Sequence, residues 1–202
     1  MHADVDAFQQ IHSEYRPKIF RYCSRLVGES EADDIVQEVF IRIDRALHSF
    51  RGESSLSTWI YRIATNAALD RLKSRASRED AAGDGADDEE SGTEDRDAWT
   101  GEKKPSLETS LIREEMSDCI RNIIDHLSTN YRTVLILSDL EGFTNHEIAG
   151  ILGMTLDTVK IRIHRARTRL KQELEKHCTF YRDERNELAC DRKTPSLQFL
   201  KK

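Results

Sequence analysis

The sequence predicts an all-α protein, two small helical domains joined by a flexible acidic linker. Three observations predict it. Apolar residues recur at threes and fours through most of the 202 residues, the period of a helix with one buried face. Alternating β-branched runs, the mark of half-buried strands, are absent. One internal stretch has almost no apolar residues, so it cannot offset the entropy of ordering itself. The expected division is 1–76, a linker over 77–106, a second domain over 107–176, and an extension over 177–202.

The first helix carries Val5, Phe8, Ile11, Tyr15, Ile19, Tyr22 and Leu26 on one side, and Pro17 is expected to kink or divide it. Gly28 closes this unit and Ser30 is placed to cap the next helix, whose stripe is Ile35, Val36, Val39, Phe40, Ile43 and Leu47. Asp33, Asp34, Gln37, Glu38 and Arg42 fall on its polar side. A polar loop from Phe50 to Ser57 precedes a third helix, from about Thr58 to Arg75, with Trp59, Ile60, Ile63, Ala64, Ala67 and Leu72 supplying its buried side. Order resumes near Leu107, with Leu111, Met116, Ile120, Ile123 and Ile124 in period and a break at Leu127-Ser128. A helix capped at Ser128 then carries Val134, Leu135, Leu137 and Leu140 and stops near Gly142.

The segment from Phe143 to Lys171 is the most informative. Thr144 and Glu147 have capping-box spacing, and Ile148, Ala149, Ile151 and Leu152 point inward before Gly153. Thr155 caps a second helix with an inner face of Val159, Ile163, Ala166 and Leu170. Its other face holds Lys160, Arg162, His164, Arg165, Arg167, Arg169 and Lys171, with Asp157 the lone acid. Two short helices around a glycine turn, the second basic, form the helix-turn-helix arrangement suited to a DNA major groove. A solvated basic face on an ordinary hairpin is the competing explanation. The coincidence of caps, turn glycine, inner-face period and one-signed charge weighs against it.

The net charge of −6 looks wrong for a DNA binder. Between Glu79 and Glu102, however, eleven acids face one base, Arg96, and outside that stretch 30 bases exceed 26 acids. The acidic segment therefore hides a mildly basic remainder. No apolar run is long enough to span a bilayer and no charged-then-apolar leader opens the chain, so a cytoplasmic protein without membrane insertion of its own is expected. Cys23, Cys119, Cys178 and Cys190 are scattered and expected to be free thiols.

Three stretches in this order resemble the extracytoplasmic-function (ECF) subfamily of sigma-70 type RNA polymerase sigma factors. They are Asp33-Asp34-Ile-Val-Gln-Glu-Val-Phe40, Phe50 through Asn66, and Leu127 through Leu170. The resemblance extends to about Glu175. It implies a σ2 helical bundle over 1–76 and a σ4 helix-turn-helix domain over 107–176. It also implies a function: binding core polymerase, recognising −35 and −10 promoter elements, and directing promoter-specific transcription initiation. The implied partners are the polymerase core (its largest-subunit coiled coil and its flap), promoter DNA, and an anti-sigma factor. The resemblance places Asp33, Asp34, Gln37 and Glu38 on the coiled coil, where a carboxylate-rich stripe meets basic groups. A plain solvated acidic face is the alternative.

For the −10 element it points to the loop Gly52–Ser57 and the following helix, a reader of unpaired bases. Ser54, Ser55, Leu56 and Ser57 are candidates for a base pocket and Asn66 for the duplex edge, while Arg62, Arg71, Lys73 and Arg75 are candidates for phosphates. Trp59 falls on the inner stripe and reads as core, which leaves Tyr61 as the ring expected to face DNA. For the −35 element, Lys160, Ile161, His164 and Arg165 match the base-reading positions, Arg165 being best suited to guanine. Thr158, Arg162, Arg167 and Arg169 match phosphate contacts.

The extension departs from the family. His177, Cys178 and Cys190 are weak metal-ligand candidates, three in number where zinc takes four, with Asp191 a poor fourth. A redox pair is the other specific option, and a tail with unused cysteines the leading one. Arg182 through Glu187 suggest a further charged helix. No cofactor is implied. A free-standing dimeric helix-turn-helix regulator is the alternative function, disfavoured by the single-strand-reading loop. A metal-dependent enzyme using Asp33, Asp34 and Glu38 lacks a histidine at ligand spacing, a nucleophile motif and a phosphate-binding glycine loop, so no catalysis is expected.

Overall fold

The computed structural model describes residues 2–80, 120–182 and 188–193, with the backbone alone at 2–6, 78–80, 188, 189, 191 and 192. The expected linker beyond residue 80, Leu107, Leu111, Met116 and Cys119 lie outside the described residues. The elements are α1 (His2–Val27), α2 (Glu29–Ala46), a short 3₁₀ turn (Leu47–Ser49) and α3 (Leu56–Asp80). Helical residues 120–125 lead to α4 (Thr129–Leu135), a wide π turn (Ile136–Leu140), α5 (Asn145–Leu152) and α6 (Leu156–His177). Strands β1 (Cys178–Arg182) and β2 (Leu188–Arg192) pair antiparallel, Phe180 opposite Cys190.

The packing groups the chain differently from the sequence division. Residues 2–80 and 129–163 form one compact unit, and 120–128 with the described residues from 164 onward form another. In the first unit, Ile19, Tyr22 and Leu26 of α1, Ile35, Val36, Val39 and Ile43 of α2, and Ile60, Ala64 and Ala68 of α3 are all but sealed from solvent. Each buried aliphatic side chain contributes about 1.5–3 kcal/mol, so this three-helix seam anchors the unit. Two hydroxyls sit inside it. Thr65 donates to the Tyr61 carbonyl at 2.6 Å, and its oxygen lies 2.7 Å from the Tyr22 hydroxyl, which leaves Tyr22 as donor to Thr65.

Several local expectations are corrected. Pro17 does not divide α1, which is one continuous helix with Pro17 on its exposed side. A proline whose ring faces outward loses one hydrogen bond without displacing the packed face. Ser30 does not cap α2. The helix already begins at Glu29, because Gly28 turns the chain with φ 92° and returns its N–H to the Ser24 carbonyl at 3.0 Å. Glycine alone takes that conformation freely. Helix α3 runs to Asp80, past the expected end near Arg75. Leu140 is 46 % exposed rather than inward. The π turn explains it: the Glu141 N–H bonds to the Ile136 carbonyl five residues back, and the wider turn rotates Leu140 out and Glu141 in.

In the extension the described residues form the hairpin, in the second unit, with Arg182 of the expected charged helix at the end of β1. Thr179-Phe180-Tyr181 is β-branched then aromatic, a run too short to register as alternation but favourable for a strand. Residues 183–187 lie outside the described residues. Cys178, 2 % exposed, packs with Ile123, Leu170, Leu174 and Cys190. The Lys193 ammonium donates to the Glu175 carbonyl at 2.7 Å and its N–H to the His177 carbonyl at 2.9 Å, satisfying the last turn of α6.

Thr65→Val should lower stability by about 1–3 kcal/mol, because it leaves the Tyr22 hydroxyl buried without an acceptor; urea midpoints against wild type check this. Burial pushes the Cys23 thiol from 9.0 up to about 12. A folded-state value above the unfolded one contributes stability below pH 9 that is lost as pH rises toward 12. Urea midpoints should therefore decline from about pH 9 upward, and Cys23→Ala should flatten the part of the decline below the ordinary tyrosine range near 10.

Candidate nucleic-acid interface

The helix-turn-helix is built as its sequence expects. Thr144 accepts from the Glu147 N–H at 3.3 Å, and the Glu147 carboxylate accepts from the Thr144 N–H at 2.9 Å, a complete capping box. Gly153 ends α5 in the left-handed conformation, φ 65°. Thr155 accepts from the Thr158 N–H at 3.2 Å and starts α6. Val159, Ile163 and Ala166 are buried and Leu170 half-buried.

Of the residues expected at the −35 element, Thr158, Lys160, Ile161, Arg167 and Arg169 are exposed, while Arg162, His164 and Arg165 are half-buried. Lys160 lies 3.8 Å from Asp157 and Arg169 3.3 Å from Glu173, whose carboxyl is held below its usual range first by its hydrogen bond from Lys176. His164 departs most from expectation. Its Nε2 is enclosed and has no hydrogen-bond partner, so that nitrogen is not presented to solvent.

The loop before α3 turns at Gly52, φ 70°, and Arg51 through Ser55 are exposed. Ser54 donates weakly to the Ser55 carbonyl at 3.3 Å. Ser55 is the N-cap of α3, accepting from the Thr58 N–H at 3.0 Å. Leu56 and Ser57 are half-buried, and Arg62, Asn66, Lys73 and Arg75 exposed. Arg71 is turned toward α2, 3.5 Å from Glu31 and 3.9 Å from Asp34. Trp59 is half-buried with its ring 5.1 Å from that of Phe50.

Tyr61 is the clear correction. Expected as an exposed ring, it is 3 % exposed, 5.1 Å from the Tyr22 ring and edge-on to Phe143 at 4.7 Å. Its hydroxyl donates to Glu141 at 2.6 Å, and burial first, then this bond, raise the phenol well above its ordinary value. Glu141 also accepts from Arg25 at 2.9 Å. Sequence reasoning missed Glu141 because a single acid at a turn carries no periodic signal.

On α2, Asp33, Asp34, Gln37 and Glu38 are all exposed, as their spacing expects. Arg16 lies 3.4 Å from Asp33, and Arg42 pairs with Glu38 one turn on. Ile41, 52 % exposed, adds an apolar spot to this face that the sequence reading passed over. In the hairpin, Cys178 and Cys190 are free thiols in an apolar cluster and His177 is half-buried. Among the described residues no group of three ligating side chains is close enough to hold a metal, and no helix is long and apolar enough to cross a membrane.

Comparison with known proteins agrees with this geometry. The family model for sigma-70 region 2 matches residues 11–78, and that for sigma-70 region 4 matches 117–170. The ECF RNA polymerase sigma factor SigW of Bacillus subtilis is 37 % identical over 174 residues, 85 % of this chain and 90 % of the relative. The ECF RNA polymerase sigma-E factor of Haemophilus influenzae is 33 % identical over 175 residues, 85 % of this chain and 89 % of that one. Among solved structures, the sigma factor RpoE of Bartonella quintana, crystallised with the anti-sigma factor NepR, matches with a TM-score of 0.61 and 26 % identity, covering 84 % of this chain and 97 % of that one. With both regions matched in order and relatives similar over most of their length, the chain belongs to the extracytoplasmic-function group of the sigma-70 family of RNA polymerase sigma factors.

Proposed function

We propose that the two sigma modules divide promoter recognition between the basic face of α6 and the loop-helix junction at 52–73, with the acidic face of α2 docking on core polymerase. The observation that carries this is the exposed run Thr158, Lys160, Ile161, Arg167 and Arg169 on a correctly capped second helix of a helix-turn-helix. As a sigma factor the chain directs promoter-specific transcription initiation. It acts by binding, without catalysis of its own, in the cytoplasm where polymerase works. Residues 1–76 and 107–176 are the functional modules, whichever way they pack in the free chain.

Each residue has a proposed role. Lys160, Ile161 and Arg165 address base edges, and Arg162, Arg167 and Arg169 address phosphate. Thr158, whose N–H and hydroxyl are both engaged by Thr155, contributes the helix start. Ser54, Leu56 and Ser57 line the captured-base site with Ser55 fixing their helix, and Arg62, Asn66 and Lys73 follow the strand. Captured bases offset the stacking lost on opening the duplex. Asp33, Asp34, Gln37 and Glu38 meet basic groups of the polymerase coiled coil, with Ile41 as an apolar anchor beside them. The Bartonella quintana relative was crystallised with an anti-sigma factor; a protein of that kind is the proposed regulator here.

Run-off transcription with purified core polymerase on a promoter library should show initiation that depends on this chain; no dependent start on any template would refute the function. Within that assay, Arg165→Ala should relax preference at one −35 position by roughly 5- to 150-fold, the equivalent of 1–3 kcal/mol. Arg169→Ala should instead weaken all promoters alike and reduce the salt slope of binding by about one. Indistinguishable mutants would contradict the division into base and phosphate contacts.

A further inference from the structure

The C-terminal hairpin lies past residue 170, where the region 4 match ends. Side chains alternate across a strand, so Cys178 and Phe180 of β1 share a face, and Cys190 of β2, opposite Phe180, lies on it too. The two cysteines are therefore diagonal neighbours on one side of the ribbon. Both belong to a single apolar cluster with Ile123, Leu170 and Leu174, and both are thiols. Their surroundings differ. Cys178 is 2 % exposed, whereas Cys190 is half-buried and open to a small reagent.

We propose that Cys178 and Cys190 form a reversible thiol–disulfide exchange site for small-molecule disulfides of the glutathione class, and that closing the bond fastens the hairpin to the end of α6. In the first step the Cys190 thiolate attacks one sulfur of glutathione disulfide, forms a mixed disulfide and expels one glutathione as thiolate, which takes up a proton. Cys178 then gives up its proton and attacks the Cys190 sulfur, forming the internal bond and expelling the second glutathione. Two protein thiols are oxidised while one external disulfide is reduced to two thiols, so the step needs no other co-reactant. The order follows exposure: Cys190 meets a reagent from solvent, and Cys178 is the neighbour packed to resolve the mixed disulfide. Diagonal neighbours on a ribbon have Cα atoms about 7–8 Å apart, whereas a relaxed disulfide spans about 4.4–6.8 Å. Closure therefore draws the strands slightly past one another, and a bond made under that strain is readily reduced, as a regulatory disulfide in a reducing compartment must be. The bond acts on α6 through the chain itself. Cys178 directly follows His177, the last residue of α6, and Lys193, just past β2, bonds to the Glu175 and His177 carbonyls. A two-stranded hairpin alone is marginal in water, and a link between its strands removes open conformations and so holds that last turn through Lys193.

The full chain, equilibrated in glutathione buffers running from fully reduced to fully oxidised, is quenched in acid, alkylated and mapped by peptide mass. Alkylation of Cys178 and Cys190 should fall together and give way to a linked 178–190 peptide, and dithiothreitol should restore both thiols. In Cys178→Ala, Cys190 should instead accumulate as the glutathione mixed disulfide, roughly tenfold or more above wild type, because no neighbour resolves it. Amide hydrogen exchange over 170–177 should slow several-fold in the oxidised wild type, while Cys190→Ser treated identically is unchanged. Survival of both thiols in excess glutathione disulfide, a wild type that stops at the mixed disulfide, or a link that forms only in urea or to Cys23 or Cys119 instead would overturn the exchange site. Equal exchange over 170–177 in the reduced and oxidised chain would overturn the fastening.

Discussion

A phenol that has been buried must still find an acceptor, and in this chain that requirement organises the first unit. Tyr61 lies on α3 between Tyr22 and Phe143, its ring removed from water. An unbonded hydroxyl there would be costly. Glu141 answers it, and the carboxylate, itself nearly enclosed, requires a cation, which Arg25 of α1 provides. Satisfying one hydroxyl thus ties α1, α3 and the turn after α4 into a single arrangement. The same environment keeps the phenol protonated, so it remains a donor across the ordinary range of pH.

The seam of α1, α2 and α3 and the contact with α5 rest on different physics. The seam is dominated by aliphatic side chains with one internal hydroxyl pair, Tyr22 and Thr65, both sealed. Such packing has no partly open state worth occupying. The contact around Glu141 mixes an aromatic edge with an ion pair that reaches partial exposure at Arg25. One part of the unit is thus held by apolar packing, the other by directed hydrogen bonds and charge as well.

Most helices were legible because one physical signal, burial of a stripe, governs both sequence and packing. Ile35, Val36, Val39 and Ile43 are spaced by helical period and are buried for the same reason. The caps at Thr144, Gly153 and Thr155 were legible because orphan backbone groups at helix ends have few side-chain solutions. Tyr61 was misjudged because a helical wheel ranks faces only against the helix's own module. Its neighbour Phe143 lies 82 positions further on, beyond the reach of any local period. Leu140 failed for a related reason, since a π turn changes the pitch on which the count depends. Ser55, a candidate base contact in the sequence, also has the spacing to Thr58 of a cap. The hairpin escaped because its strand-forming run is three residues long and its partner strand lies across a charged stretch.

The wide turn at Ile136–Leu140 carries a consequence of its own. One extra residue in that turn aims Glu141 inward and leaves Leu140 facing water. Deleting a single codon there would restore ordinary helical pitch and bring leucine to the spot the carboxylate now occupies. The Tyr61 phenol would lose its acceptor and the Arg25 guanidinium its counter-charge. The number of residues through that turn is thus as much a part of the fold as the choice of side chain.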